Sequence, residues 1–102
     1  MYSGTDFPMM NPGESRPVSF DFTSVLQGGE TVVSVEWGIA SSGLLDPYAA
    51  THLGAGALAT PVATNQVSGL MGGAKYVIEA SATTSAANIY ALYSHIICQI
   101  PT

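Results

Sequence analysis

From Val33 to Ile39 the chain alternates without a break, with Val33, Val35, Trp37 and Ile39 set against Ser34, Glu36 and Gly38. A period of two sends successive side chains to opposite faces, so the stretch reads as a strand with one face buried and cannot form a helical stripe. The same period recurs elsewhere. Val18, Phe20 and Phe22 alternate with Ser19 and Asp21 in a strand that opens at Pro17. Tyr76, Ile78, Ala80 and Ala82 alternate with Lys75, Val77, Glu79 and Ser81 in a strand running from Lys75 to Thr84. Ser85-Ala86-Ala87-Asn88 reads as a hairpin turn into a last strand, Ile89 to Ile100. There Tyr90, Leu92, Ile96 and Cys98 share one face, and Tyr93, His95 and Ile97 the other, so both faces of the strand are expected to be covered.

The middle of the chain is less regular. Ala57 to Thr64 and Gln66 to Leu70 read as short strands, with Pro61 pushing the first towards an edge. From Ser41 to Gly56 the pattern dissolves into Gly, Pro and Ala, and only a short strand around Leu44 with a loop beyond it is expected. The alanines between Ala80 and Tyr93 make a helix the competing assignment there. The Ser, Thr and β-branched content and the period of two decide for strands. Trp37 reads as a core tryptophan on an early strand. Tyr76 follows Leu70 across Met71-Gly72-Gly73-Ala74-Lys75, an arrangement that resembles the tyrosine corner of immunoglobulin-like and fibronectin-type sandwiches. The alternative for Tyr76 is a plain half-buried strand aromatic. The expected fold is all-β, an immunoglobulin-like or fibronectin-like sandwich of about 6–7 strands over residues 17–102. Its core is expected to include Phe20, Phe22, Trp37, Leu70 and Tyr76.

Residues 1–16 form an extended arm in this reading. Pro8, Pro12 and Pro17 exclude a helix, and the arm is too rich in proline for a central strand. Phe7, Met9 and Met10 place three large apolar groups within four residues. Together with Pro12 and Glu14 they are expected to contact a neighbouring protein, by docking on its surface or adding a strand to its sheet. The alternative is a disordered tail.

Charge then limits the function. Charged residues make up 9% of the chain, against about 25% in an average soluble protein. A surface so poorly charged is open to association, which points to a subunit covered by partners. The net charge is −5, with Arg16 and Lys75 the only basic side chains, so no nucleic-acid partner is expected. No apolar run reaches the ~18 residues of a membrane span, and the start of the chain lacks the charged and apolar regions of a signal peptide. A cytoplasmic chain is expected, unless it leaves inside a larger particle. Cys98 stands alone, which excludes an intrachain disulfide.

The residues that invite chemistry lack its spacing. His52, His95, Asp46 and the many serines show no nucleophile motif. His52 is expected to face solvent, and His95, mid-strand beside Tyr90 and Tyr93, to be either a satisfied polar group or an interface contact. Two distant histidines and one cysteine are no recognisable metal set. Gly54-Ala55-Gly56 and Gly72-Gly73 read as turns, because no helix follows to complete a phosphate loop. The carboxylates are dispersed and read as solubilising charges. No enzyme, metal or cofactor is expected.

Several short segments, in order, resemble the small phage fibre-tail adaptor proteins: Asn11-Pro12-Gly13-Glu14, Val18-Ser19-Phe20-Asp21-Phe22, Leu26, Gly29-Glu30-Thr31-Val32 and Trp37. Ser68-Gly69, Gly72-Gly73-Ala74-Lys75-Tyr76 and Ala82-Thr83-Thr84-Ser85 are similar to that family's glycine-rich turn and hairpin. The family often continues with glycine and arginines where this chain has Ala86-Ala87-Asn88-Ile89-Tyr90. The resemblance implies a virion structural protein, assembled in the host cytoplasm, that attaches fibre, tail or head components in many symmetric copies. Two other functions fit a small β-sandwich of this kind. One is capsid decoration. The other is carbohydrate or receptor binding through Tyr48, Tyr90 and Tyr93.

Overall fold

The computed structural model describes Phe7, Met10, residues 13–42, Asp46 and residues 48–98. Six strands carry the fold: β1 (Ser15–Asp21), β2 (Val32–Ser42), β3 (Ala57–Ala59), β4 (Val62–Ser68), β5 (Lys75–Thr84) and β6 (Ile89–Ile97). A 3-10 turn, Ala49–His52, lies between β2 and β3. The strands form two three-stranded antiparallel sheets, ordered β1-β4-β3 and β2-β5-β6. Taken as strands B to G, β1 to β6 give the B-E-D and C-F-G arrangement of an immunoglobulin-like sandwich. Trp37 then lies on strand C and Tyr76 opens strand F, the two places where such sandwiches keep a core tryptophan and a corner tyrosine.

The core lies between the sheets and follows the alternation. Tyr76, Ile78, Ala80 and Ala82 point inward from β5, Val18 and Phe20 from β1, Ala63 and Val67 from β4, and Leu92 and Ile96 from β6. Phe22 and Leu70, just beyond strand ends, are buried with them. Phe20 and Trp37 meet across the two sheets with ring centroids 5.9 Å apart. Trp37 itself is half-buried.

The strands depart from the sequence reading in four places, one of them the separate strand expected from Gln66 to Leu70, whose first residues instead continue β4 to Ser68. β1 begins at Ser15, two residues before Pro17. The strand expected from Ala57 to Thr64 is split into β3 and β4, which turn at Thr60-Pro61 and pair with each other. Val33, expected inside, is 61% exposed while Val32 is buried. A register shift between Val32 and Ser34 is the cause, because one extra residue reverses which side chain faces the core. The strand expected around Leu44 lies outside the described residues.

The arm is where the structure differs most from expectation. The Phe7 N–H donates to His95 O and the Met10 N–H to Ile97 O, both at 3.0 Å. Met10 forms a parallel bridge with Cys98. Phe7 and Met10 are therefore bonded to the free edge of β6 in their own chain. Phe7 packs edge-on against Phe20 of the opposite sheet, with centroids 5.4 Å apart, and the Met10 side chain is wholly enclosed. Met10, expected at a protein interface, thus belongs to the sandwich's own core, and Phe7, expected there too, is partly buried against that core. The physical reason is proximity: an apolar segment tethered to a sheet edge finds that edge before any neighbour. Met9 and Pro12, expected at the same interface, lie outside the described residues. Met10→Ala is expected to lower the stability of the isolated chain by about 2–5 kcal/mol, as for other buried methionines. Urea unfolding of the two proteins checks this, and a change within experimental error would mean that the arm does not contribute to the core.

Candidate functional site

Two polar clusters stand out from the apolar packing. The first is built on the loop after β2. Asp46 turns the chain into the 3-10 helix: its Oδ1 accepts the Tyr48 N–H at 2.9 Å, and its own N–H donates to Ser41 Oγ at 2.9 Å. Its other oxygen, Oδ2, lies 2.7 Å from His52 Nε2 and accepts the Tyr76 hydroxyl at 2.6 Å. The Tyr76 oxygen in turn accepts the Met71 N–H at 2.9 Å. That last bond is the backbone tie expected of a tyrosine corner; the carboxylate behind it was not expected. Asp46 and His52 are 7% and 9% exposed. The readings of His52 as solvent-facing and of Asp46 as a solubilising charge are therefore corrected. Asp46 is drawn in by the Tyr76 hydroxyl from β5, and His52 by Asp46 and the Tyr76 ring.

The electrostatics of this cluster favour a structural role. The Tyr76 and His52 bonds hold the Asp46 carboxyl below its ordinary value, aided by the Tyr48 N–H. Burial, and then the Asp46 acceptor, push the Tyr76 phenol up to about 12, so it keeps its proton at neutral pH. With Nε2 donating to Asp46, Nδ1 is the nitrogen left for a reaction. Among the described residues no hydroxyl or thiol hydrogen-bonds to it, whereas nucleophilic catalysis needs that contact. The backbone at Gly69 packs against this nitrogen: a Cβ there would lie 3.4 Å from Nδ1.

The second cluster centres on Glu30, in the loop between β1 and β2. Thr84 Oγ1 and Asn88 Nδ2, the latter at 2.9 Å, donate to its Oε2. The Gln27 N–H at 2.8 Å and the Tyr90 hydroxyl at 3.2 Å donate to its Oε1. Beside it the Thr31 N–H donates to Ser85 Oγ at 3.1 Å, and the Ser85 N–H to Thr31 O at 2.9 Å. One carboxylate thus fastens the β1–β2 loop to the β5–β6 turn. The Thr84 hydroxyl and the Gln27 N–H are the main causes that bring the Glu30 carboxyl down to about 2. Glu30, read as a solubilising charge, was therefore missed as a junction; its place in a Gly-Glu-Thr segment was the available signal.

The remaining expected contact residues do not converge. Tyr90 is turned inward to Glu30, and burial is the main cause that raises its phenol pKa. Tyr93 and His95 lie on the outer face of β6, packed edge to face at 6.0 Å. Glu14 pairs with Arg16 at 2.7 Å. Cys98 is buried, and its thiol contacts Leu70 O at 3.6 Å. Among the described residues, no three His, Cys, Asp or Glu side chains gather as a metal site requires, and no helix is long and apolar enough to cross a membrane.

No protein-family model matches the chain, and no curated protein or solved structure is detectably similar to it. The fold and these two clusters define a small immunoglobulin-like β-sandwich whose buried polar groups tie loops to strands.

Two measurements test the clusters. Tyr76→Phe removes the partner of the Met71 N–H and one donor to Asp46, and is expected to cost about 1–3 kcal/mol in denaturant unfolding; an unchanged midpoint would rule out the corner as a structural tie. For Glu30 the sign follows from its lowered value. The stability it contributes is complete above its ordinary 4.5 and is lost as pH falls towards about 2. Glu30→Gln should therefore unfold at a lower temperature than the unmodified chain at neutral pH, with the gap narrowing through that acid window. A gap independent of pH would show that the carboxylate's charge is not what matters.

Proposed function

We propose that this protein is a structural component of a bacteriophage particle, an adaptor that attaches a tail fibre or joins tail and head components through protein–protein contacts. The observation that carries this reading is the Glu30 junction. Gly29-Glu30-Thr31 and Thr83-Thr84-Ser85 are two of the segments that resemble the fibre-tail adaptor family, and they are bonded to each other across 54 residues of sequence. Their joint presence is therefore one physical feature and not two accidents of composition. Tyr76, at the end of the third such segment, is likewise held in a tie between loops.

The function is mechanical, and no bond is made or broken. The outer face of β5 and β6 offers contact surface, with Ile89 and Ile97 exposed and Val77, Tyr93 and His95 half-buried. A modest contact of this kind becomes strong when many copies bind a symmetric partner together. The carbohydrate reading is less well supported. Tyr90 and Tyr93 point to opposite faces of β6, and Tyr48 lies beside the 3-10 turn, so the three rings make no common platform.

Quantitative mass spectrometry of purified particles, measured against the major capsid protein, tests the proposal. About six or twelve copies per particle, the numbers that ring symmetry implies, would support the adaptor. Tens to hundreds would instead make the chain a capsid decoration protein. Absence from particles would overturn the virion reading.

A further inference from the structure

Two three-stranded sheets have four edges, and three of them are protected here. The edge of β6 is occupied by the arm through Phe7 and Met10. β1 carries Pro17, which has no N–H to offer, and the Arg16–Glu14 ion pair beside it. β3 is three residues long. The fourth edge, β2, has none of these devices. It runs for 11 residues without proline or a basic side chain, and Glu36 is its single charge. Among the described residues nothing hydrogen-bonds to its outer edge between Val33 and Ala40. A Cβ placed on Gly38 would meet nothing within 4 Å. Beside this edge lies an open groove of about 210 Å³ lined by Val33, Val35, Trp37, Gly56 and Leu58.

We propose that β2 pairs with β2 of a second copy, antiparallel, about a two-fold axis at Gly38. Charge and the bulge together select this register: a two-fold at Ser34 would draw the irregularity between Val32 and Ser34 into the pairing, and one beyond Gly38 would shorten the pairing. A two-fold at Glu36 sets the two carboxylates directly opposite one another, and a two-fold at Val35 or Trp37 leaves them two residues apart, roughly 7 Å along the strand. The axis at Gly38 separates them by four residues, roughly 13 Å, which exceeds the Debye length of about 8 Å at physiological salt. In that register Glu36 faces Ala40 of the second copy on the outer face. Trp37 faces Ile39 on the inner face, where the groove leaves Trp37 half-buried. The pairing supplies partners for the free N–H and C=O groups of the edge and continues a three-stranded sheet into one of six. The virion reading is not a premise of this inference, and either can fail without the other.

Sedimentation equilibrium of the full chain tests it, because the two facing positions are both exposed and can be altered without touching the core. The unmodified chain is expected to form a concentration-dependent dimer. Ala40→Lys puts an ammonium opposite Glu36 twice per dimer and should tighten association on the order of fivefold. Ala40→Glu puts like charges opposite each other and should weaken it by a similar factor, and adding Glu36→Lys to Ala40→Glu should restore it. Ser19→Lys and Ser19→Glu make the same changes of net charge on exposed β1 and should leave the affinity unmoved. A chain that is monomeric up to its solubility limit overturns the proposal. So does a dimer that responds equally to the changes at Ser19 and Ala40.

Discussion

β5 is hydrogen-bonded on both sides, and the sandwich is arranged around the small side chains on its inner face. Ala80 sits between Trp37 and Leu92 in the register, and Ala82 between Val35 and Tyr90. Both alanines are fully buried. Because Ala80 is short, there is room beside it for Phe20 to reach Trp37 from the opposite sheet, large set against small. Tyr76 stands between Ser41 and Ile96 in the register, and Ile78 between Ile39 and Ser94, so each of these larger residues has a serine on one side only.

Both ends of that central strand are closed by a carboxylate. At its start Tyr76 is held by Asp46, which also orders the loop leading to His52. At its end Thr84 donates to Glu30, which also gathers Gln27, Asn88 and Tyr90. Each carboxylate accepts several hydrogen bonds, and that lowers its pKa despite the cost of partial desolvation. A chain with 2 basic and 7 acidic residues therefore uses two of its acids as internal fasteners. The polar features that most resemble an active site are explained by strand and loop architecture.

The strands were legible because burial on one face imposes a period of two, and that period survives in β1, β2, β5 and β6. Tyr76 was legible because a corner tyrosine has a fixed relation to the turn before it. The Asp46–His52 pair was not. Both residues stand in a Gly/Ala-rich loop, and what gathers them is Tyr76, 30 residues from Asp46 in sequence, its hydroxyl on Asp46 and its ring against His52. Val33 was misread for a local reason, since a one-residue bulge reverses the alternation without altering composition. The places of Phe7 and Met10 were misread for a general one. An extended apolar segment that needs a sheet edge looks the same in sequence whether the edge belongs to its own chain or to another.

Edge protection also constrains what kind of assembly such a chain can build. Its surface carries few charges to oppose association: Glu14 and Arg16 neutralise each other, Asp21 is bonded to Thr23, and Glu30 and Asp46 are engaged within the fold. Strand addition is then limited by geometry more than by repulsion. Two open edges per copy would allow each added copy to present another edge, and growth would continue as a fibre. With Phe7 and Met10 on β6, a proline in β1 and a β3 of only three residues, a single long edge is left among the described residues. An edge that pairs with itself about a two-fold is consumed in the act, so association by this route closes at two copies.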